Sequence, residues 1–180
     1  AVPQALAYWR NGTVENYTRL LDYLGARLLG MPGLAEPPVE YPERAFYHPA
    51  HAGPFPDVEA YLAWARQRLP GAEARPRVGI VFYRSLALGD NAAVIDALVN
   101  ETESQGGLPV PLWRSDSHDS LRHLRGADGK PAVDALILCA SQIDYAAHRA
   151  GVEEARALGV AVLGCTTDYT RDAAHWRADP

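Results

Sequence analysis

The chain has 180 residues, 48% of them hydrophobic and 22% charged, with a formal net charge of −5. That balance is the ordinary one of a soluble globular domain, alone or with a helical flank, and it lacks the basic field that non-specific nucleic-acid binding requires. Lys130 is the sole lysine and Pro131 follows it, so a Gly-x-x-x-x-Gly-Lys-Ser/Thr phosphate loop cannot form and this segment is no ATPase of that class.

At the N-terminus, Ala1 to Arg10 lacks the basic-then-apolar order of a signal peptide, and no apolar run approaches the roughly 20 residues that span a bilayer. There is no initiator methionine, and the chain stops at Ala178-Asp179-Pro180. A piece of a longer protein is therefore the expectation. Thr13 to Leu29 reads as an amphipathic helix, capped by Thr13 and closed by Gly30, with Val14, Tyr17, Leu20, Leu21, Leu24 and Leu28 expected on its inner face. Met31 to Pro56 holds seven prolines and reads as an ordered wrapping loop, anchored by Tyr41, Phe46, Tyr47 and Phe55.

Asp57 is expected to cap a short helix to Leu69, with Val58, Tyr61, Leu62 and Ala65 facing in, and Pro70-Gly71 to end it. After a polar hinge at Ala72 to Pro76, the continuous apolar run Arg77 to Tyr83 predicts a strand covered on both faces. Asn91 to Gln105 reads as a helix with Val94, Ile95, Leu98 and Val99 inside. Leu108 to Trp113 is a second strand, which Pro109 and Pro111 mark as an edge or a weak ladder. A short helix near Ser117 to Leu124 and a turn from Gly126 to Pro131 follow. Val133 to Cys139 and Val160 to Cys165 are further strands around a helix from Ala146 to Leu158, and Thr170 caps a last helix through Trp176.

This alternation predicts an α/β fold: a flavodoxin-like or periplasmic-receptor-like parallel sheet between helical layers, preceded by a helical and Pro-rich flank. Residues 1–71 form the flank and residues 72–180 the sheet domain. Cys139 and Cys165 each close an apolar run, with no Cys-x-x-Cys spacing. Buried structural thiols in a reducing cytosol are expected rather than a disulfide framework or zinc ribbon.

Ligands of open parallel sheets bind beyond the carboxyl ends of the strands. That rule selects the loop Arg84 to Asn91 and those beginning Arg114-Ser115-Asp116, Ala140-Ser141-Gln142 and Thr166-Thr167-Asp168. In the first loop, Arg84 and Ser85 are delivered to the rim, while Gly89 and Asp90 lead into a helix. Arg84, Ser85, Asp90 and Asn91 are thus candidate binding residues for an anionic group. The alternative is that Asp90 only caps and Arg84 pairs with a surface acid. His48 and His51 stand three apart, but Pro49 breaks a helical presentation, so a hydrogen-bonding role for His48 is favoured over metal ligation and no metal site is expected. Gly-x-Ser-x-Gly, His-Glu-x-x-His and Gly-x-Gly-x-x-Gly are all absent.

Taken in order, these segments resemble the large subunit shared by cobaltochelatase and magnesium chelatase. The resemblance runs through Asn11-Gly12-Thr13-Val14-Glu15-Asn16-Tyr17 and Leu20 to Leu24, then Tyr47-His48-Pro49 and Tyr61-Leu62-Ala63-Trp64. It continues through Pro76 to Ser85, the loop ending Gly89-Asp90-Asn91, Val133 to Ile137 and Thr170-Arg171 to Trp176. Two positions depart from the family pattern: Arg44-Ala45-Phe46 stands where a glycine is usual, and Val160-Ala161-Val162 lacks a proline. Tyr47 in place of a tryptophan points to the cobalt branch.

The resemblance implies a cytoplasmic fragment of the tetrapyrrole-binding subunit of a ligase that forms nitrogen–metal bonds, in cobalamin or chlorophyll biosynthesis. Cobalt or magnesium would enter a porphyrin-like ring at the expense of ATP hydrolysed by an AAA+ ATPase subunit, with a third subunit as a further partner. The fragment alone is expected to be inactive and to hold no cofactor. On this reading His48 is a catalytic proton acceptor, and Arg84 holds a carboxylate or amide edge of the substrate. The alternatives are a non-catalytic small-molecule-binding α/β domain and an interaction module between domains.

Overall fold

The computed structural model describes residues 2–33, 35–89, 91–114, 121–139, 145–165 and 173–178. An N-terminal hairpin pairs α1 (Val2–Arg10) with α2 (Val14–Leu29). The α1 helix carries no signal that the sequence reading used. The expected caps of α2 are present: Thr13 Oγ1 accepts the Asn16 N–H at 3.1 Å, and Gly30 turns left-handed at φ 63°. The expected inner face is not. Val14, Leu21 and Leu28 are 71%, 70% and 71% exposed, and Asn16 and Tyr23 are the buried residues of the helix. The opposite face wins because α1 and the proline-rich segment pack there, through a Tyr8–Tyr23 ring contact at 5.7 Å and the Asn16 amide.

The proline-rich segment also supplies a strand, β1 (Arg44–Phe46). Asp57 caps α3 (Val58–Arg68), accepting the Ala60 N–H at 2.8 Å, and the buried side chains are Val58, Tyr61, Leu62 and Ala65 as the periodicity required. A 3-10 turn, Ala72–Ala74, leads into β2 (Arg77–Tyr83), which passes through a single short helix, α4 (Arg84–Leu88), into α5 (Ala93–Ser104). The loop expected at Arg84 to Asn91 is thus partly helical. On α5, Ile95 and Val99 are buried, whereas Val94 is exposed and not inside as expected. Then come β3 (Leu108–Arg114), a 3-10 turn at Leu121–Leu124, β4 (Ala135–Leu138), α6 (Tyr145–Leu158), β5 (Ala161–Gly164) and α7 (Ala173–Ala178). The rest of the helix expected from Ser117, together with Thr170, lies outside the described residues.

The sheet order is β1-β3-β2-β4-β5. From β3 to β5 every pair is parallel, and β1 alone runs antiparallel, beside β3. Its parallel part has the 2-1-3-4 order of flavodoxin-like sheets. Pro109 and Pro111 sit in a strand with neighbours on both sides. The N–H groups they lack point away from β2, because it is Leu108 N–H that reaches across to Pro76 O at 2.8 Å. On that far side β1 covers only the last residues of β3, Tyr47 N–H donates to Pro111 O, and the Tyr61 hydroxyl donates to Pro109 O at 2.6 Å. The prolines therefore mark an edge along the first half of the strand.

Alternation along the strands splits the core in two. Val81, Val110, Leu112 and Leu136 pack under α3, α6 and the Leu121–Leu124 turn. Ile80, Phe82, Trp113 and Cys139 pack under α4 and α5. Gly79 permits the first of these layers: a Cβ there would lie 2.9 Å from Leu136 Cδ1.

A crevice at the carboxyl rim of the sheet

Where β2 and β3 end, the α1–α2 hairpin closes over the rim and leaves a cleft of about 480 Å³. Arg84, the residue after β2, is 6% exposed and fixes this arrangement. Its Nη1 donates to Arg10 O at 2.9 Å, and its Nη2 to Asn11 Oδ1 at 2.6 Å and Tyr41 O at 2.8 Å. Asn11 Oδ1 also accepts the Tyr41 N–H at 2.9 Å. The Asn16 amide donates to Asn11 O and Val39 O at 2.6 and 2.8 Å and accepts the Val39 N–H at 2.8 Å. Two buried amides and one guanidinium thus bind the hairpin, the proline-rich segment and the strand end into one unit.

The walls of the cleft are of two kinds. Trp9 and Tyr17, both exposed, stand with ring centroids 5.7 Å apart. Gly12 makes room for the second ring, since a Cβ there would collide with the Tyr17 hydroxyl. Arg10 lines the cleft beside them on the hairpin, and Tyr83, Arg84, Ser85 and Arg114 line it from the strand ends. No aspartate or glutamate lines the cleft among the described residues. In a chain of net charge −5, that is a local excess of positive charge beside an aromatic surface.

Of the binding residues expected from the sequence, Arg84 and Ser85 line this cleft, Asn91 is exposed outside it, and Asp90 lies outside the described residues. The sequence reading missed Trp9, Arg10 and Tyr17, which belong to a hairpin some seventy positions upstream of Arg84 and carry no strand-end signal. Arg114, the first residue of the second loop selected by the strand-end rule, does line the cleft, as the last residue of β3. The three other strand-end loops fall largely outside the described residues.

His48 is elsewhere. Its ring is 1% exposed, Nδ1 accepts the Ala50 N–H at 3.1 Å, and Nε2 therefore carries the proton and donates to Glu103 Oε1 at 3.0 Å. Glu103 is in turn forked by Arg68, whose Nη2 lies 2.9 Å from Oε2. Burial lowers the pKa of His48, against the pull of Glu103. Burial raises that of Glu103, but Arg68 and His48 outweigh it and the net shift is downward. Trp64 covers the imidazole at 4.8 Å, and so placed His48 ties the 47–51 turn to α3 and α5. Among the described residues no group of three or more His, Cys, Asp or Glu side chains gathers to hold a metal ion, and no helix is long and apolar enough to cross a membrane.

Fold and crevice together define a doubly wound α/β protein with an aromatic, arginine-lined cleft at the carboxyl rim of its sheet. The family model described as CobN/Magnesium Chelatase matches residues 6–180, and the chain belongs to that family. It is 29% identical over 136 residues to the magnesium-chelatase H subunit of Cereibacter sphaeroides, covering 73% of this chain and 10% of that protein. The corresponding magnesium-chelatase protein of Rhodobacter capsulatus is 26% identical over 139 residues, again 73% of this chain and 10% of the relative. Among solved structures, the catalytic subunit of cobaltochelatase from Mycobacterium tuberculosis shares the fold with a TM-score of 0.60 at 23% identity, over 97% of this chain and 14% of that one. The chain thus spans about a tenth of the length of the curated relatives it matches.

Proposed function

We propose that the chain is a segment of the tetrapyrrole-binding large subunit of an ATP-dependent chelatase that inserts cobalt or magnesium, and that the cleft beneath the α1–α2 hairpin holds the macrocycle by its anionic edge. One observation carries this reading: the exposed rings of Trp9 and Tyr17 share a cleft with Arg10 and Arg114, and no described carboxylate lines it. A porphyrin-like ring presents a flat π surface for stacking and peripheral carboxylates for guanidinium groups, and this wall offers both. Metal insertion exchanges the inner N–H protons of the ring for a divalent cation. The described lining contains neither a histidine nor a carboxylate to accept them, so this cleft positions the substrate, and the proton acceptor and the ATPase lie on other segments or subunits of the assembly.

The test is an absorbance titration of a free-carboxylate tetrapyrrole into the protein, repeated with the same macrocycle after its carboxylates are converted to amides. Binding of the acid, weakened for the amide and weakened about 2- to 10-fold by Trp9→Ala, is expected from a stacking contribution of about 0.5–1.5 kcal/mol. No spectral shift with the unmodified protein, or equal affinity for acid and amide, would sink the assignment.

An interaction module between domains is the second reading. The apolar stripe Val14, Leu21 and Leu28 on α2 and the exposed Leu163 on the outermost strand favour it. The two readings are compatible if neighbouring segments of the large subunit cover those faces.

A further inference from the structure

Cys139 and Cys165 follow β4 and β5 directly, and the parallel register of those strands ends at Leu138↔Gly164. The two cysteines therefore occupy the next pair of positions. Backbone hydrogen bonds hold them there: Cys139 N–H donates to Val81 O and Cys165 N–H to Leu138 O, each at 2.8 Å. Both side chains fall on the α5 side of the sheet, Cys139 inside the cluster of Ile80 and Phe82 and Cys165 packed against it. The two side chains are thus neighbours across the β4–β5 pair on one face of the sheet. Adjacent parallel strands bring Cα atoms to about 4.8 Å, inside the window of roughly 4.4–6.8 Å that a disulfide spans.

We propose that Cys139 and Cys165 form an intramolecular dithiol that closes to a disulfide by exchange with a small disulfide of the glutathione type. Cys165 is the half-buried member and Cys139 the buried one, so a reagent from solvent meets Cys165 first. The Cys165 thiolate attacks one sulfur of the small disulfide, forming a mixed disulfide and releasing one thiol. Cys139 gives up its proton and attacks Cys165 Sγ, forming the Cys139–Cys165 bond and expelling the second thiol. The protein loses two electrons and two protons, and the small disulfide takes up both. Burial, with the neighbouring thiol, pushes the Cys139 thiol up to about 12, which makes the second step the slow one and keeps the pair reduced until an oxidant reaches it. In-register parallel neighbours hold their Cβ atoms further apart than an unstrained disulfide does, so the closed form is readily reversed. Closure pins together the carboxyl ends of β4 and β5, on the rim where the cleft opens.

The experiment equilibrates the folded protein with excess oxidised glutathione, quenches in acid, alkylates, and reads intact mass and non-reducing peptide maps. The expected product is about 2 Da lighter than the reduced protein, has lost both thiols together, and yields a Cys139–Cys165 cross-linked peptide. In Cys139→Ala the glutathione adduct is expected to stay trapped on Cys165, and in Cys165→Ser the remaining Cys139 is expected to stay unmodified. Two surviving thiols, a stable glutathione adduct on the unsubstituted protein, or bridges only between molecules overturns the proposal. Peptide mapping of the unsubstituted protein decides the matter even if a variant fails to fold.

Discussion

Replacing Arg84 by methionine tests whether this guanidinium holds the molecule together or waits for a ligand. Methionine keeps most of the apolar stem and removes the bonds to Arg10 O, Asn11 Oδ1 and Tyr41 O. A hydrogen bond from a charged donor contributes about 1.5–3 kcal/mol. The three are not additive, because the burial of the charge is relieved and the released carbonyls regain some water as the hairpin loosens. A net loss of about 3 kcal/mol is expected, which for a domain of this size lowers Tm by roughly 6–12 °C. Urea unfolding followed by circular dichroism and tryptophan fluorescence measures it. Tetrapyrrole affinity should fall as well, because Trp9 and Tyr17 lose their fixed position. Arg84→Lys should fall between the two proteins in stability, since an ammonium cannot reach three acceptors in a fixed fork. If Arg84→Met leaves stability within about 0.5 kcal/mol and still abolishes tetrapyrrole binding, Arg84 is a ligand contact and the clamp is refuted.

Acid should unfold the protein from the His48 cluster. Folded His48 lies below its ordinary pKa of 6.5, so the unfolded ring takes up a proton first; stability is complete above about pH 6.5 and falls as pH drops below it. Glu103, lowered from its ordinary 4.5, acts in the same sense at lower pH: its contribution is present above about 4.5 and is lost as pH falls through the folded value. Urea midpoints measured across pH should show His48→Gln removing the dependence that sets in below about pH 6.5 but not the one that Glu103 adds at lower pH; an unchanged slope contradicts the assignment. Asn16→Leu should cost about 2–4 kcal/mol in the same assay, because Asn11 O and both backbone groups of Val39 lose their partner. Tyr61→Phe leaves Pro109 O without its donor and should cost about 1–2 kcal/mol; a neutral result would mean that water replaces the hydroxyl beside β3.

How much of this was legible in the sequence depended on which force decided each element. The start and the buried face of α3 are legible because Asp57 caps it and its apolar face meets the sheet, so local and tertiary preferences agree; its end falls one residue before the expected Leu69. On α2 they part. Its caps were legible as local chemistry, but its leucines were assigned to the core while the buried contacts went to Asn16 and Tyr23, and periodicity has no means of naming the partner of a face. The strand β1 was hidden among prolines because three residues carry no period, and its pairing with β3 comes from tertiary packing. At the site, the strand-end rule located Arg84, Ser85 and Arg114, yet it could say nothing of the hairpin that forms the opposite wall.

The landmarks that carried the family resemblance share a physical property. Asn16 joins the hairpin to the proline-rich segment, His48 joins the 47–51 turn to α5, Tyr61 takes the carbonyl that a proline-bearing strand leaves open, Gly79 admits Leu136, and Arg84 clamps the rim. Each is a buried or close-packed tie between elements distant in sequence, where a substitution leaves a polar group without a partner or two atoms in one place. An ordered series of such ties specifies a scaffold. The groups that face the cleft are not such ties: Trp9, Arg10 and Tyr17 form an exposed wall whose loss the fold would survive. Differences in substrate within this scaffold are therefore expected on the hairpin wall, where exchanging Trp9 or Arg10 alters what the cleft accepts without disturbing the ties beneath it.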